Sequence, residues 1–162
     1  MTIRAIFAAD NNWGIGKNND LPWPHNSEDL KWFKDSTDGD VVVMGRKTWE
    51  SLPRKPLSNR VNYVITSDPN IEEGYHGRFS SKNIGRAILA IIQERFTSEP
   101  DIWIIGGAQL LKGCLPIIEE VWVSRIQGAF DCDTFIEIDT QHFYLSTSET
   151  FGGLLIEKYR KK

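Results

Sequence analysis

Asp29 sits where a proton could be exchanged. At about 100° per residue, Asp29, Trp32, Phe33 and Ser36 project from one side of a helix, while Lys31, Lys34 and Asp35 project from the other. A carboxylate on the apolar side is partly withdrawn from water, which raises its affinity for a proton and makes it a candidate general acid near neutral pH. A plainer reading competes with this one. Asn26 or Ser27 can cap the helix, leaving Glu28 and Asp29 in the first turn, where the helix dipole favours negative charge and lowers a pKa. Glu28 projects about 100° away from Asp29 and suits that reading better than Asp29 does.

Two segments have the make-up of phosphate-binding turns. Ile104-Ile105-Gly106-Gly107-Ala108-Gln109-Leu110-Leu111 puts a double glycine between a buried strand and a helix, where main-chain N–H groups can meet phosphate oxygens with no Cβ in the way. It lacks the spaced Gly-x-Gly-x-x-Gly pattern, and strand–glycine–helix turns also occur without ligands. Met44-Gly45-Arg46-Lys47-Thr48-Trp49 has the same form with two cations added at the helix start, which oppose the dipole unless an anion sits there. Thr66 and Ser67 end the next strand, so adjacent parallel strands would bring their hydroxyls near Arg46. The alternative is a solvated Arg-Lys pair and an ordinary turn.

The elements that must position these groups follow from periodicity. Ile3 to Ala9 reads as a first strand, followed by a long turn-rich loop from Asp10 to Asp20 and then the Asp29 helix. Asp40 to Met44 and Ile102 to Ile105 are apolar on both faces, as strands covered on both sides are. A brief helix from Lys47 to Ser51, a strand from Arg60 to Thr66 and a helix from Asn83 to Phe96 lie between them. Beyond residue 120 the pattern turns to strands: Glu120 to Ile126, Asp133 to Ile138, Phe143 to Thr150 and Leu154 to Arg160, the last two joined by a Gly152-Gly153 hairpin. The fold expected is α/β, with a central, mostly parallel, twisted sheet that ends in antiparallel C-terminal strands and is flanked by helices.

The chain has 162 residues, 40% hydrophobic and 25% charged, which suits one domain over residues 1–162. A net charge of −3 offers no broad basic surface for nucleic acid. Cys114 and Cys132 have no metal-ligand spacing and suggest no disulfide framework, nor do His25, His76 and His142 show ligand spacing, so no metal is expected. No apolar run is long enough for a secretion signal or membrane span, and the cytoplasm is the expected location.

Taken in order, the segments Trp13-Gly14-Ile15-Gly16-Lys17-Asn18, Leu21-Pro22-Trp23, Asp29-Leu30-Lys31-Trp32-Phe33-Lys34, Val43-Met44-Gly45-Arg46-Lys47-Thr48-Trp49-Glu50-Ser51, Ile105-Gly106-Gly107 and Asp133-Thr134-Phe135 resemble the dihydrofolate reductase family along essentially the whole chain. The resemblance implies hydride transfer from NADPH to C6 of dihydrofolate, with a proton delivered to N5, giving tetrahydrofolate for one-carbon metabolism. It makes Asp29 the pterin-binding carboxylate, with Ser124 supporting it by a hydrogen bond. Leu30, Phe33 and Leu52 match apolar walls around the folate rings. Ile6, Phe7 and Ala8 match the strand beside the pterin and nicotinamide, with Ile105 close by, and Arg60 matches the arginine that grips the substrate's glutamate.

For the cofactor, the resemblance brings Gly45, Arg46, Lys47 and Thr48 to the diphosphate and adenosine phosphate, and Thr66 and Ser67 to the 2′-phosphate. Gly106 and Gly107, with Ala108, Gln109 and Leu110 after them, match the family's glycine pair, often joined by a cis peptide. Ile15, Gly16, Leu21 and Trp23 belong to a loop that closes over the nicotinamide, Leu21 and Trp23 lying nearest the chemistry. The partners implied are dihydrofolate and antifolate-like small molecules, with a monomer as the default. Three features depart from the commoner pattern: a longer Pro24-His25-Asn26-Ser27-Glu28 segment, Ala108 for a frequent third glycine, and Leu111 for a frequent aromatic residue. A related pterin or pyrimidine reductase, and a nucleotide-binding module without turnover, are the alternatives. Arg60 speaks against the first, because a substrate with no glutamate tail has no need of it.

Overall fold

Alternate side chains of the central strands point to opposite sides of the sheet, and both sides are apolar. A computed structural model describes residues 1–17, 21–24, 26–94, 96 and 99–162. The chain opens with strand β1 (Ile3–Ala9), a short strand β2 (Gly14–Gly16) and helix α1 (Ser27–Thr37). Strand β3 (Val41–Gly45) runs directly into helix α2 (Arg46–Ser51), and strands β4 (Val61–Ile65) and β5 (Gly77–Phe79) follow. Helix α3 (Ile84–Ile92), strand β6 (Ile102–Gly106) and helix α4 (Ala108–Cys114) complete the alternating part. The rest is strand: β7 (Glu120–Arg125), β8 (Thr134–Phe135), β9 (Phe143–Phe151) and β10 (Leu154–Lys161).

Eight strands form one sheet in the order β5-β4-β3-β6-β1-β7-β10-β9, while β2 and β8 pair separately. Neighbours from β5 through β7 are parallel, and β10 runs antiparallel to both β7 and β9. Gly152 and Gly153 make the β9–β10 turn with φ of 56° and 86°, a left-handed pair that matches the twist of a two-residue hairpin.

Alternation along each strand separates the two faces. Val41, Val43, Ile102 and Ile104 join Ala87, Ile88, Ile91 and Leu111 in one core, beneath α3 and α4. Val42, Met44 and Trp103 join Ile6, Val64 and Trp49 in the other, against which Trp32 and Phe33 of α1 pack. A third cluster, of Trp23, Ile126, Leu154 and Ile156, closes the end near β7 and β10. Among the described residues, no helix is long and apolar enough to cross a membrane.

The differences from the sequence reading lie at the margins of the sheet. The expected strand from Asp133 to Ile138 shrinks to Thr134–Phe135, paired with β2 rather than the main sheet. Ile136 and Ile138 still point inward, so the period-two signal reflects burial without a ladder. Part of the expected Asp10 to Asp20 loop is strand β2, while Asn18, Asn19 and Asp20 lie outside the described residues. The helix expected to reach Phe96 ends at Ile92, and Arg95 of that stretch is outside them too. Strand β5 has no apolar run to announce it, because an edge strand needs to bury little.

Ile104 is 0% exposed at the centre of the sheet. Ile104→Ala is expected to destabilise the protein by about 2–5 kcal/mol, read as a lower denaturation midpoint at unchanged slope.

Candidate active site

Helix α1 is laid across one sheet face, and its inner side carries the acid. Asn26 caps the helix, its side-chain oxygen accepting the Asp29 N–H at 3.0 Å. Asp29 is therefore a first-turn residue, as the plainer reading required, and it also shares the less exposed side with Trp32, Phe33 and Ser36 while Glu28 is exposed. Burial raises the Asp29 carboxyl above its ordinary range, opposed in part by a hydrogen bond donated by Ser124. Ser124 is 1% exposed on β7, beside Ala8 of β1 and Ile156 of β10.

Apolar groups surround this pair. Phe33, Leu52, Ile105 and Ile6 pack into the same cluster, and Ala8 borders the neighbouring one with Trp23 and Trp32. Phe7 points to the opposite face, where it packs on the other core, so a ligand beside Asp29 meets only its main chain. Leu21 and Leu30 are exposed at the rim. The indole N–H groups of Trp23, Trp32 and Trp122 are buried without an acceptor among the described residues. A buried donor left unpaired is costly, so these three favour an acceptor at this end of the sheet.

Arg60 is 9% exposed although it stands at the start of a strand, so it is not a solvated charge. Its Nε donates to the Ser58 carbonyl at 2.9 Å, one terminal nitrogen donates to Thr37 Oγ1 at 3.1 Å, and the guanidinium lies 5.6 Å from the Phe33 ring centroid. Burial lowers its pKa, and the charge of Asp38 opposes that shift. The fork is held in one orientation next to the apolar wall. Thr37, which steadies it, was not singled out in the sequence, since its distance from Arg60 along the chain hides the contact.

The two glycine turns come together. Strands β3 and β6 are neighbours with Met44 opposite Gly106, so Gly45 and Gly106-Gly107 end side by side. A Cβ on Gly45 would lie 3.7 Å from Gly107 N, and one on Gly106 would lie 3.4 Å from Thr48 Oγ1. The Gly106-Gly107 peptide is cis. Helices α1 and α3 are capped by Asn26 and Asn83, whereas α2 and α4 begin at Gly45 and Gly107 with no side-chain cap. Their first turns, on adjacent strands, thus carry main-chain N–H groups with no side-chain cap.

Other candidates lie around this pair of turns. Arg46 pairs with Glu50 of its own helix at 3.0 Å, an exposed pair of the kind that contributes little and rearranges readily. Lys47 is exposed and Thr48 is partly buried. Strand β4 lies next to β3 with Ile65 opposite Gly45, which sets Thr66 and Ser67 beside Arg46 in the next row. Thr66 is buried, its hydroxyl accepting from Asp68 N, and Ser67 Oγ is 2.9 Å from Ser81 Oγ and 3.3 Å from Ser80 Oγ. Ser80 and Ser81 were missed because they follow the unforeseen β5. Ala108 is half-buried and Gln109 exposed, while Leu110 and Leu111 turn into the core. Ile15 borders that core from β2, next to Gly16. Within the longer Pro24 to Glu28 segment, His25 lies outside the described residues.

A carboxylate in an apolar slot, beside two uncapped helix starts at the C-terminal ends of parallel strands, suits a planar heterocycle next to a dinucleotide. Known proteins point the same way. A family model described as dihydrofolate reductase matches residues 2–153. The chain belongs to the dihydrofolate reductase family. It is 38% identical to the dihydrofolate reductase of Bacillus subtilis over 91% of this chain and 83% of that protein. The rat enzyme is 34% identical over 99% of this chain and 91% of its own length. A solved dihydrofolate reductase from Enterococcus faecalis, complexed with NADP(H) and RAB-propyl, superposes with a TM-score of 0.83 at 30% identity, covering 99% of this chain and 96% of that one. Members of this family are NADPH-dependent oxidoreductases, and the fold read from the sequence is the family's fold.

A raised carboxyl pKa has a thermodynamic consequence of definite sign. Between the ordinary carboxylate range and the raised folded value, the folded state binds more protons than the unfolded one, so ionisation of Asp29 lowers stability as pH rises. Asp29→Asn is therefore expected to melt at a higher temperature than the parent at pH 7, with the gap narrowing as pH falls from the raised folded value toward about 4, the unfolded one. Melting curves across pH check this; a variant less stable at neutral pH would contradict it.

Proposed function

We propose that this chain reduces 7,8-dihydrofolate to 5,6,7,8-tetrahydrofolate with NADPH, that residues 1–162 act as one catalytic unit, and that Asp29 is the residue on which the chemistry turns. The observation that carries this reading is the Asp29–Ser124 pair, set among apolar groups where α1 meets β7, in the same sheet whose strands β3 and β6 end in two uncapped helix starts. The ionised carboxylate can accept both donors of a flat 2-amino heterocycle, at its amino group and N3, which orients the ring. Its raised proton affinity lets the same group promote protonation at N5 near neutral pH. Ser124 limits the upward shift and fixes the carboxylate's rotation. The indole N–H of Trp23, without an acceptor among the described residues, offers a donor for a water on the proton's path.

The apolar groups Ile6, Leu30, Phe33, Leu52 and Ile105 would enclose the rings, with Phe7 contributing main chain. Arg60, buried and pre-aimed by Thr37 and Ser58, supplies a planar fork for the α-carboxylate of the glutamate tail. The residues present also fit NADPH, since α2 and α4 begin at glycine without a side-chain cap and Gly106, at a φ of 132° that side chains rarely adopt, keeps the turn between them free of a side chain. Bound there, NADPH supplies the hydride. Gly45, Arg46, Lys47 and Thr48, with Gly106, Gly107, Ala108, Gln109 and the main chain of Leu110, would hold its diphosphate. Thr66 and Ser67 would meet the 2′-phosphate, and Ala8, Ile15 and Gly16 the nicotinamide. Leu21 and Trp23 would exclude water from the reacting atoms. Antifolates with the same donor face would occupy the slot.

We take the protein to act as a monomer in the cytoplasm: every group invoked comes from one chain, and Cys114 and Cys132 are both free thiols. The first measurement is whether purified protein oxidises NADPH only when dihydrofolate is added. Asp29→Asn is expected to retain NADPH binding and to lose turnover by roughly 10²-fold or more near pH 7; undiminished dihydrofolate turnover would defeat the assignment. For Arg60→Leu, KM for dihydrofolate should rise by at least about tenfold, the loss of a charge-assisted pair, with KM for NADPH nearly unchanged. Equal changes in the two constants would remove Arg60 from the substrate site.

A further inference from the structure

One buried acid is left unused by this chemistry. Asp10 is 0% exposed and follows β1 directly. Its Oδ1 accepts the N–H groups of Asn12 at 2.9 Å and Gly14 at 2.8 Å, both at the root of the β2 segment. Its Oδ2 accepts the N–H of Phe130 at 2.9 Å and lies 3.4 Å from the donating thiol of Cys132, both on the segment leading to β8. Each oxygen thus serves one of two segments more than a hundred positions apart in sequence. Burial pushes the carboxyl upward, yet these four donors outweigh it and hold the group below its ordinary range, so it stays ionised.

The two segments are otherwise joined at close quarters. A Cβ at Gly14 would come within 2.3 Å of Cys132 Sγ, so the contact requires glycine there. Asn11 N donates to Gly128 O at 3.0 Å, and Asp133 N to Gly16 O at 3.0 Å. Between them Trp13 has a φ of 62°, a costly left-handed conformation for a bulky residue, with Arg125 stacked 4.0 Å from its ring centroid. On the far side the Phe130 ring meets Trp23 edge-on, centroids 6.0 Å apart. The route from Asp10 therefore runs one way into Ile15 and Gly16, and the other way through Phe130 into Trp23.

We propose that Asp10 is a positioning residue for hydride transfer, its two oxygens locking the lid strand β2 and the Phe130 segment to each other so that Ile15, Gly16 and Trp23 are held at the nicotinamide side of the site. This rests on the function proposed above. An acid is required because the donors arrive from both sides: an amide in its place would turn its NH2 group toward one set of them. The residue touches no reacting atom, and its effect is on geometry, where small displacements slow hydride transfer strongly.

Asp10→Asn tests the lock. Relative to the parent, single-turnover hydride transfer should slow by about tenfold and KM for NADPH should rise by about threefold or more, as for a loosened lid. KM for dihydrofolate and the pH midpoint of the hydride step should stay at parental values, since Asp29, Ser124 and Arg60 are untouched. A variant whose hydride step and NADPH KM both match the parent, whatever its melting temperature, would reduce Asp10 to a staple of the fold and overturn the proposal. Should Asp10→Asn fail to fold, Phe130→Leu keeps the main-chain N–H on Asp10 and removes only the ring edge at Trp23. It should slow hydride transfer with dihydrofolate KM unchanged, and a parental rate would overturn the proposal. Dihydrofolate-dependent NADPH oxidation by the parent itself tests the underlying function separately.

Discussion

Desolvation of the Asp29 carboxylate is the constraint around which the rest of the structure is arranged. A carboxylate that must stay out of water without a cationic partner needs an apolar floor, a cover and one well-placed donor. The sheet supplies the floor through Ile6, Ile105 and Trp122, and α1 supplies the cover by turning Trp32 and Phe33 inward. Ser124 is the donor, and it reaches Asp29 because β7 pairs with β1 and sends residues 122, 124 and 126 to one face. The capping contact from Asn26 matters for the same reason, because it fixes where the helix starts and so which face Asp29 shares with Trp32 and Phe33, three and four positions on.

A parallel sheet brings a second condition. Strands β4, β3, β6 and β1 lie side by side with their C-terminal ends along one edge, so every turn leaving them opens onto the same groove. Two of the helices that follow carry asparagine caps and two begin at glycine, and the glycine pair sits on adjacent strands. With a net charge of −3, attraction for an anion has to be local. Main-chain N–H groups of the glycine turns, the Thr48 hydroxyl and Arg46 gather at this edge, a local set of donors on a chain of net negative charge.

Polar groups drawn under the surface provide rigidity around both features. Arg60 is held by Thr37 and Ser58 beneath the Phe33 ring, so a long side chain that would otherwise sample many rotamers has one direction. Asp10 is held in a comparable way between β2 and the segment leading to β8, by donors from the main chain and a thiol. The start of β2 is in this way tied to the segment that leads to β8.

Local patterns carried a good part of this reading. The face on which Asp29 lies follows from helical period, the double-sided apolar runs announced β3 and β6, and Gly152-Gly153 announced the last hairpin. Those are properties of a few neighbouring residues, and steric and hydrophobic preferences act at that range. The strand order, the β2–β8 pair, the burial of Arg60 and the four donors around Asp10 were not legible, for each depends on residues separated by tens to more than a hundred positions. Asp10 looked like turn punctuation and Asp133 to Ile138 looked like a sheet strand, because nothing local distinguishes a carboxylate that will be buried or an alternation that will lack a ladder. The sequence by itself determined the chemical types available and their direction along each element. Only the tertiary structure decided which of them meet, since the free energy of a contact is realised when the intervening chain has folded to close it.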